Sequence, residues 1–332
     1  MSSRSHRAIA AVTAAALLAG CVTTRSQRIG ADDGMDACRA QLVALDSTGD
    51  FFAEDILKGA AAGALAGALI GGLATGRWQG ALIGAGAGLA AGAATGYLVA
   101  LQQRSADQAA LNASLSSDLA RENAQLDRTQ VAFDQLMECR FNRAQQIREA
   151  YRAGRLPQGV AEAQMADVRA RAQRDIALAR TISERIGTRG AEFDTAIETV
   201  APGTKNSVLA GKSGAATVNT RTAAVVPLRL RPDPGSPIIG SVPAQQTVQV
   251  RPATGGFAQV QAAGGRVGYA EAAAFRGTPA ARASGGIDPA TMGTSGGDVR
   301  TLAASNIARR ENFTDAVATA ERASSSGFEL AS

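Results

Sequence analysis

Between residues 56 and 101, glycine recurs at every fourth position. One series consists of Gly59, Gly63, Gly67 and Gly71, and a second, one position out of phase, runs through Gly72, Gly76, Gly80, Gly84, Gly88, Gly92 and Gly96. Residues four apart lie on one face of a helix, so each series leaves a groove into which another backbone can fit. An interior glycine costs about 0.8–1.0 kcal/mol of helix stability relative to alanine. The repeat therefore predicts helices whose close packing offsets that cost.

A short polar stretch at residues 75–80 divides this repeat and contains Arg77 and Trp78. We therefore expect two helices joined by a tip. The second, Ala81–Leu101, would span about 31 Å at 1.5 Å per residue, enough to cross a bilayer core. The segment resembles the glycine-zipper family of bacterial envelope proteins. We predict a membrane-inserted hairpin over residues 56–101, and a glycine-packed hairpin outside the bilayer is the alternative.

The first twenty residues have the order of a bacterial export signal. Positive residues at 4–7 precede the apolar run Ala8–Leu18, which is too short to span a bilayer. The run ends in Leu-Ala-Gly-Cys, which resembles the lipobox of bacterial lipoproteins. This resemblance implies that residues 1–20 are removed and that Cys21 receives lipid, palmitate included. In such lipoproteins an Asp after the cysteine favours retention in the inner membrane, so Val22 implies the outer membrane. The alternative for the whole segment is an ordinary signal peptide with an incidental cysteine.

Two cysteines, Cys38 and Cys139, remain once Cys21 is assigned to lipid. In an oxidising periplasm an even pair indicates a disulfide, which would tie the periplasmic segment 21–55 to the region after the hairpin. Two free or intermolecular thiols are the alternative. The sole histidine, His6, falls in the signal segment, and two thiols cannot complete a tetrahedral zinc site. We therefore expect no enzyme activity, no metal and no cofactor.

Residues 102–200 are charged, alanine-rich and helical in pattern. Leu119, Leu126 and Phe133 lie seven apart, and Gly154 with Pro157 separates them from a second series. The second series alternates steps of three and four residues and forms one apolar stripe, which we call the seam. Its members are Met165, Val168, Ala172, Ala179, Ile182 and Ile186, and Asp175 occupies one position of the seam where an apolar residue is expected. We expect two amphipathic helices, either folded back on each other or paired between subunits. Arginines on the outer face favour a solvated surface over an anion site: Arg169, Arg171, Arg174, Arg180 and Arg185.

After a Gly/Ser/Thr/Lys linker at 201–217, five short β-type runs follow one another within about fifty residues. They predict a small barrel over residues 218–276. Leu228–Pro232 followed by Pro234-Gly235-Ser236 resembles the opening of bacterial SH3 domains, and Gly265–Tyr269 resembles their close. The chain departs from that pattern in having Phe257 where Trp is usual and Ala270 where Val or Ile is usual.

The resemblance implies a binding module for peptidoglycan or peptides. Phe257 and Tyr269 are the aromatic candidates for its ligand surface, and Arg229 and Arg231 are candidate partners for a carboxylate. Phe257 and Tyr269 are at least as well suited to filling the core of so small a barrel, which is otherwise short of large side chains, and this is the stronger interpretation. The pattern leaves both roles open.

The chain closes with a Gly/Ala/Ser/Thr/Pro linker at 277–297 and an amphipathic helix at 298–323. That helix could pack on the helical region or bind a partner. The expected fold class is therefore multi-domain α + β: a glycine-zipper hairpin, a helical or coiled-coil stalk, a small SH3-like β-barrel and a C-terminal helix.

The order of these segments predicts a lipid-anchored, periplasm-facing tether or scaffold that forms a homo-oligomer through the glycine grooves. Its expected partners are membrane lipid and peptidoglycan or envelope proteins. The net charge of +5 is too weak a basis for nucleic-acid binding. A transport or secretion component, in which several hairpins assemble a pore or collar, is the alternative; a cell-wall hydrolase is disfavoured because no catalytic base remains.

Overall fold

The computed structural model describes residues 24–52, 97–98, 101–102, 105–213, 217–275 and 298–330. The signal segment with Cys21, the glycine-zipper positions from Gly59 to Gly96 and the linker 277–297 lie outside the described residues. Predictions made for them stay predictions.

Two long helices form the body of the described structure. Helix α1 (Arg25–Ile29) and a helix at 39–52, α2, precede α3 (Gln108–Arg152) and α4 (Gln158–Val200). Helix α3 begins where the Asp107 side chain accepts a hydrogen bond from the Ala110 amide at 2.8 Å. It ends before Gly154, whose φ of +68° reverses the chain, and Pro157 starts α4. The two helices therefore fold back on each other within one chain.

The apolar series seen in the sequence supply the contact between α3 and α4. Every seam residue named above on these helices is buried, including Asp175, which is 2% exposed. Asp175 is tolerated there because Arg140 of α3 donates from Nε to its Oδ2 at 2.6 Å. Asp36, which precedes α2, accepts from the same guanidinium at 2.9 Å. The interruption in the second series is thus one partner of a buried ionic cluster of Asp36, Arg140 and Asp175.

Electrostatics within this cluster differ between its two carboxylates. Burial raises the pKa of Asp36, but hydrogen bonds from Arg140 and the Cys38 amide outweigh it and leave that pKa below the ordinary value. Burial raises the pKa of Asp175 above its ordinary value despite the hydrogen bond from Arg140. Arg140 keeps its charge, since the two carboxylates raise its pKa against the effect of burial.

A disulfide lies next to this cluster. Cys38 and Cys139 are joined, with their Cα atoms 5.9 Å apart, which confirms the predicted bond. It connects the residue before α2 to the last third of α3, and Leu42, Leu45 and Phe52 of α2 are buried in the same core. The segment before the glycine repeat is therefore fixed to the helix after it.

The C-terminal helix, α6 (Val299–Ser326), packs along both α3 and α4. Its four predicted apolar residues are buried: Leu302, Ile307, Phe313 and Val317. Phe313 meets Phe133 of α3 edge to face at 5.8 Å, and Phe328 beyond the helix stacks on Phe141 at 4.8 Å. The sequence left open whether this helix packs on the helical region or binds a partner. In the structure it packs on α3 and α4 of its own chain.

One local prediction was wrong. The linker 201–217 contains a helix, α5 (Thr204–Ser213), because Val208 is buried against α6 and Lys212 lies 3.0 Å from carboxylate oxygens of Glu311 and Asp315.

The five arginines of α4 lie at the surface of the described structure, where none of them is buried. Arg171 pairs with Asp167 one turn earlier on α4, and Arg180 pairs with Glu321 of α6, with both partners of the second pair about half exposed. Arg169 donates to the Phe328 carbonyl at 2.9 Å.

The barrel has six antiparallel strands in the order β1-β4-β5-β6-β2-β3. They are β1 (Val218–Arg221), β2 (Val226–Arg229), β3 (Ile238–Val242), β4 (Thr247–Pro252), β5 (Phe257–Ala262) and β6 (Val267–Glu271). Five match the runs in the sequence. The sixth, β1, pairs with β4 at an edge of the sheet. It was not predicted, because its residues Val-Asn-Thr-Arg show no alternation of apolar side chains.

Candidate functional site

Strand register places four polar or aromatic side chains in a row across the barrel. Arg251 on β4 lies opposite Gln259 on β5, Gln259 opposite Tyr269 on β6, and Tyr269 opposite Arg229 on β2. Directly opposed residues point to the same face of a sheet. All four are half-buried, whereas the neighbouring Val250 is fully buried inside the barrel. The row therefore lies on the outer face of the sheet.

Helices of the same chain cover much of this row. Helix α6 presents Asp315 and Ala316, α3 presents Gln130 and Asp134, and α5 presents Lys212. Between them and the barrel lies a cavity of about 670 Å³, which we call the barrel–helix cleft. Sites for small molecules have volumes of about 300–1,000 Å³, so the cleft is large enough to hold a small ligand.

Arg231 fastens the barrel to α3 at one end of the cleft. Its Nη1 lies 3.4 Å from Asp134 Oδ2, and its Nη2 donates to Glu138. On the barrel side, the Arg231 amide donates to Ser236 Oγ at 3.0 Å, which holds the loop after β2. Gln145 adds a hydrogen bond from Nε2 to the Ile238 carbonyl at 2.8 Å. The loop after β2 and the start of β3 are therefore both held to α3.

Asp134 carries an unusual pKa within this contact. Burial, with a smaller contribution from the Asp233 charge, raises the pKa of Asp134 to about 6, against the opposing effects of Arg231 and of a hydrogen bond from Gln130. Glu138 competes for the same guanidinium. The folded chain therefore binds a proton at Asp134 at a pH where the unfolded chain, with an ordinary pKa of 3.8, does not.

We expect the folded state to gain stability from Asp134 as the pH falls through 6, with the gain complete below the unfolded value near 3.8. Each unit of pKa difference corresponds to about 1.4 kcal/mol. Chemical unfolding at pH 7 and pH 5 should show a smaller stability difference in Asp134→Asn than in the natural chain. Equal pH dependence in the two proteins would contradict this assignment.

Tyr269 occupies the middle of the cleft wall. Burial chiefly raises the pKa of its hydroxyl, and the nearby Asp315 carboxylate adds to the effect. Lys212 lies 3.0 Å from Asp315, and Arg309 lies 2.7 Å from Asp127, so the charged groups of the helical wall are already paired. Lys212 is shared with Glu311, and Asp134 contacts Arg231 of the barrel, so the helical wall carries four carboxylates against two cations. Tyr269 lines the enclosed space opposite this wall.

The structure brings together two of the four predicted ligand residues. Arg231 and Tyr269 line the cleft. Arg229 points its guanidinium at the Ser236 carbonyl, 2.8 Å away, and does not line it. Phe257 is 4% exposed, so it is buried in the barrel and is not available to a ligand.

Sequence reasoning missed Arg251, Gln259 and every helical residue of the cleft. The alternation in β4, with Val248 and Val250 buried, indicates that Arg251 faces outward. No pattern in the sequence shows that α3 and α6 lie over that outward face.

Comparison with known protein families agrees with both modules. Residues 224–275 match the family model of the bacterial SH3 domain, and residues 58–103 match that of a glycine zipper. No curated protein and no solved structure matches the chain. The barrel is thus a bacterial SH3 domain, and the two modules together indicate a cell-envelope protein.

Within the described ranges, no helix has the length and apolar character needed to span a membrane. In those same ranges, no group of three or more His, Cys, Asp or Glu side chains is placed to hold a metal ion.

Proposed function

We propose that the chain is a non-enzymatic, lipid-anchored tether that holds its SH3 domain against a helical body in the periplasm, where the domain binds peptidoglycan or a protein partner. The observation that carries the proposal is the barrel–helix cleft. Its wall contains Arg231 and Tyr269 of the barrel, which matches a family of binding modules. An ion pair between Arg231 and Asp134 holds the same face of the barrel to α3. Helices α3, α4 and α6 act as the rigid arm between the anchor and the binding site.

Anchoring rests on Cys21 and the glycine zipper. We expect the natural chain to sediment with membranes and to resist carbonate extraction. A Cys21→Ser variant with an ordinary cleavable signal separates the contributions, because lipid can no longer attach. If that variant becomes soluble, lipid is the anchor and the zipper packs outside the bilayer; if it still resists carbonate, the zipper itself is inserted. A natural chain that never sediments with membranes would contradict the tether.

Binding is tested separately by sedimentation with purified peptidoglycan sacculi. We expect the detergent-solubilised full chain to sediment with sacculi and Tyr269→Ala to do so less, since that change removes the ring from the cleft wall. Gln249→Ala, at an exposed position of β4, is the matched control on the same barrel. If the natural chain binds neither sacculi nor envelope proteins but conducts ions across liposomes, the pore alternative replaces the tether.

A further inference from the structure

Where the barrel meets α3, one guanidinium contacts three carboxylates. Arg231 lies 3.4 Å from Asp134 and 3.7 Å from Asp233, and its Nη2 also donates to Glu138. Asp134 and Glu138 are one turn apart on α3, whereas Asp233 belongs to the loop after β2. Like charges on the two sides of a contact repel each other. Ionised carboxylates therefore outnumber the cation in this cluster and oppose the docking of the barrel on α3.

Docking of the barrel also decides how far its outer face is covered. Gln259 and Tyr269, from the row across the sheet, line the cleft together with Thr319 of α6. Thr319 is 1% exposed, and α6 packs against β6, the strand that carries Tyr269. Access to this face therefore depends on how firmly the barrel is held against α3 and α6.

Other charged or titratable groups line the cleft around Asp134 and Arg231. From the barrel these are Asp233, Arg251 and Tyr269, and from the helices they are Asp127, Lys212, Arg309, Glu311 and Asp315. Arg309 pairs with Asp127, and Lys212 pairs with both Glu311 and Asp315. Arg251 donates to Gln259 at 2.8 Å, and the raised pKa of Tyr269 keeps its hydroxyl protonated. Asp134, with its pKa of about 6, changes charge between pH 7 and pH 5 beside these groups.

Proton uptake by Asp134 removes one of the three negative charges around Arg231. In the docked chain burial raises the pKa of Asp134, whereas in a separated chain water would reach the carboxylate and return the pKa to its ordinary value of 3.8. The docked state therefore binds the proton more tightly. By linkage, the docking equilibrium shifts about ten-fold toward the docked state as the pH falls from 7 to 5.

We propose that the cluster of Asp134, Glu138 and Asp233 around Arg231 is a pH-sensitive clasp, which holds the barrel against the helices at mildly acid pH and loosens toward neutral pH. The inference rests on the proposed binding function and adds its regulation, because the clasp controls access to the cleft.

The test is the rate at which a maleimide modifies a thiol that the docked barrel covers. Thr319→Cys places this thiol in the cleft wall, and Thr314→Cys, exposed on the same helix, is the matched control. Both are made in the detergent-solubilised full chain with Cys21→Ser, in which Cys38 and Cys139 are joined and no other cysteine remains. The rate at 319 divided by the rate at 314 cancels the pH dependence of thiol chemistry. Since the covered thiol reacts from the separated state, we expect this ratio to be about ten-fold smaller at pH 5 than at pH 7.

Two carboxylate variants and one further reporter identify the cause. Asp134→Asn has no charge at either pH, so its ratio should be the same at both and as low as that of the natural sequence at pH 5. Asp167→Asn, on α4 with its side chain 55% exposed, should keep the ten-fold change. Ala179→Cys, fully buried in the seam between α3 and α4, should stay unreactive at both pH values, because the helical body does not open.

A ratio independent of pH, an unchanged pH dependence in Asp134→Asn, or Ala179→Cys modified as fast as Thr319→Cys would overturn the inference. Gln259→Cys with Gln249→Cys as its exposed control repeats the measurement from the barrel side if Thr319→Cys does not fold. The proposed function fails independently, when the natural chain does not sediment with sacculi and captures no envelope protein. A chain that binds sacculi but shows no pH-dependent ratio keeps the tether and loses the clasp.

Discussion

Removing the disulfide between Cys38 and Cys139 is expected to lower the free energy of unfolding by up to about 5 kcal/mol. The bond closes a loop with a sequence separation of 101 residues, and the loss of chain entropy in the unfolded state grows with loop length. In the folded state it also fixes α2, with its buried Leu42 and Phe52, against α3. Chemical denaturation of the double variant Cys38→Ala, Cys139→Ala, compared with the oxidised natural chain, measures the effect. Alanine is preferred to serine because Cys38 is 1% exposed and a hydroxyl there would be buried.

Reduction supplies the control for this result. The natural chain in reducing agent should lose nearly the same stability as the double variant, and the double variant itself should be unaffected by the reagent. A natural chain equally stable with and without reducing agent would contradict a stabilising bond.

Arg140→Ala is expected to destabilise the chain by about 3–5 kcal/mol, because it leaves the buried Asp175 carboxylate without its ion-pair partner and leaves Asp36 with only Arg171, 3.6 Å away. Asp36 and Asp175 are 6% and 3% exposed at their side chains, so water cannot replace the guanidinium. Arg143→Ala is the matched control on the same helix. Its side chain is exposed and contacts Gln146, and its removal should change stability by no more than about 0.5 kcal/mol.

A second substitution tests the cause of the Arg140→Ala effect. Adding Asp175→Ala should recover part of the lost stability, since the neighbouring seam positions on α4 are Ala172 and Ala179, which are fully buried. Lowering the pH should also reduce the penalty, because an unpaired buried carboxylate takes up a proton. If the double variant is less stable than Arg140→Ala alone, the loss comes from packing and not from unpaired charge.

Long periodic elements could be predicted from the sequence because the burial of regularly spaced apolar side chains dominates their stability. The seven-residue spacing of Leu119, Leu126 and Phe133 and the turn at Gly154 determine α3 and the reversal into α4. Alternation and turn residues likewise determine five strands of the barrel. Helix α5 was missed because its ten residues have one buried apolar side chain, Val208, whose cover comes from α6, far along the chain.

The cleft could be predicted only on its barrel side. Arg231 and Tyr269 follow from the resemblance to bacterial SH3 domains. That Arg229 turns to the Ser236 carbonyl, while Arg251 lines the cleft, depends on what packs outside the sheet. The same holds for Asp175. In the sequence it only interrupts an apolar series, and the buried ion pair becomes visible only in the structure, where Arg140 Nε lies 2.6 Å from Asp175 Oδ2. Contacts between segments distant in sequence leave no local periodic trace.

The position of α6 also sets the order in which the chain can finish folding. Phe313 and Phe328 cover Phe133 and Phe141 on α3, yet they are synthesised after the whole barrel. Until these last residues dock, α3 presents aromatic rings without their cover. The C-terminal segment therefore has to be in place before the helical body can close.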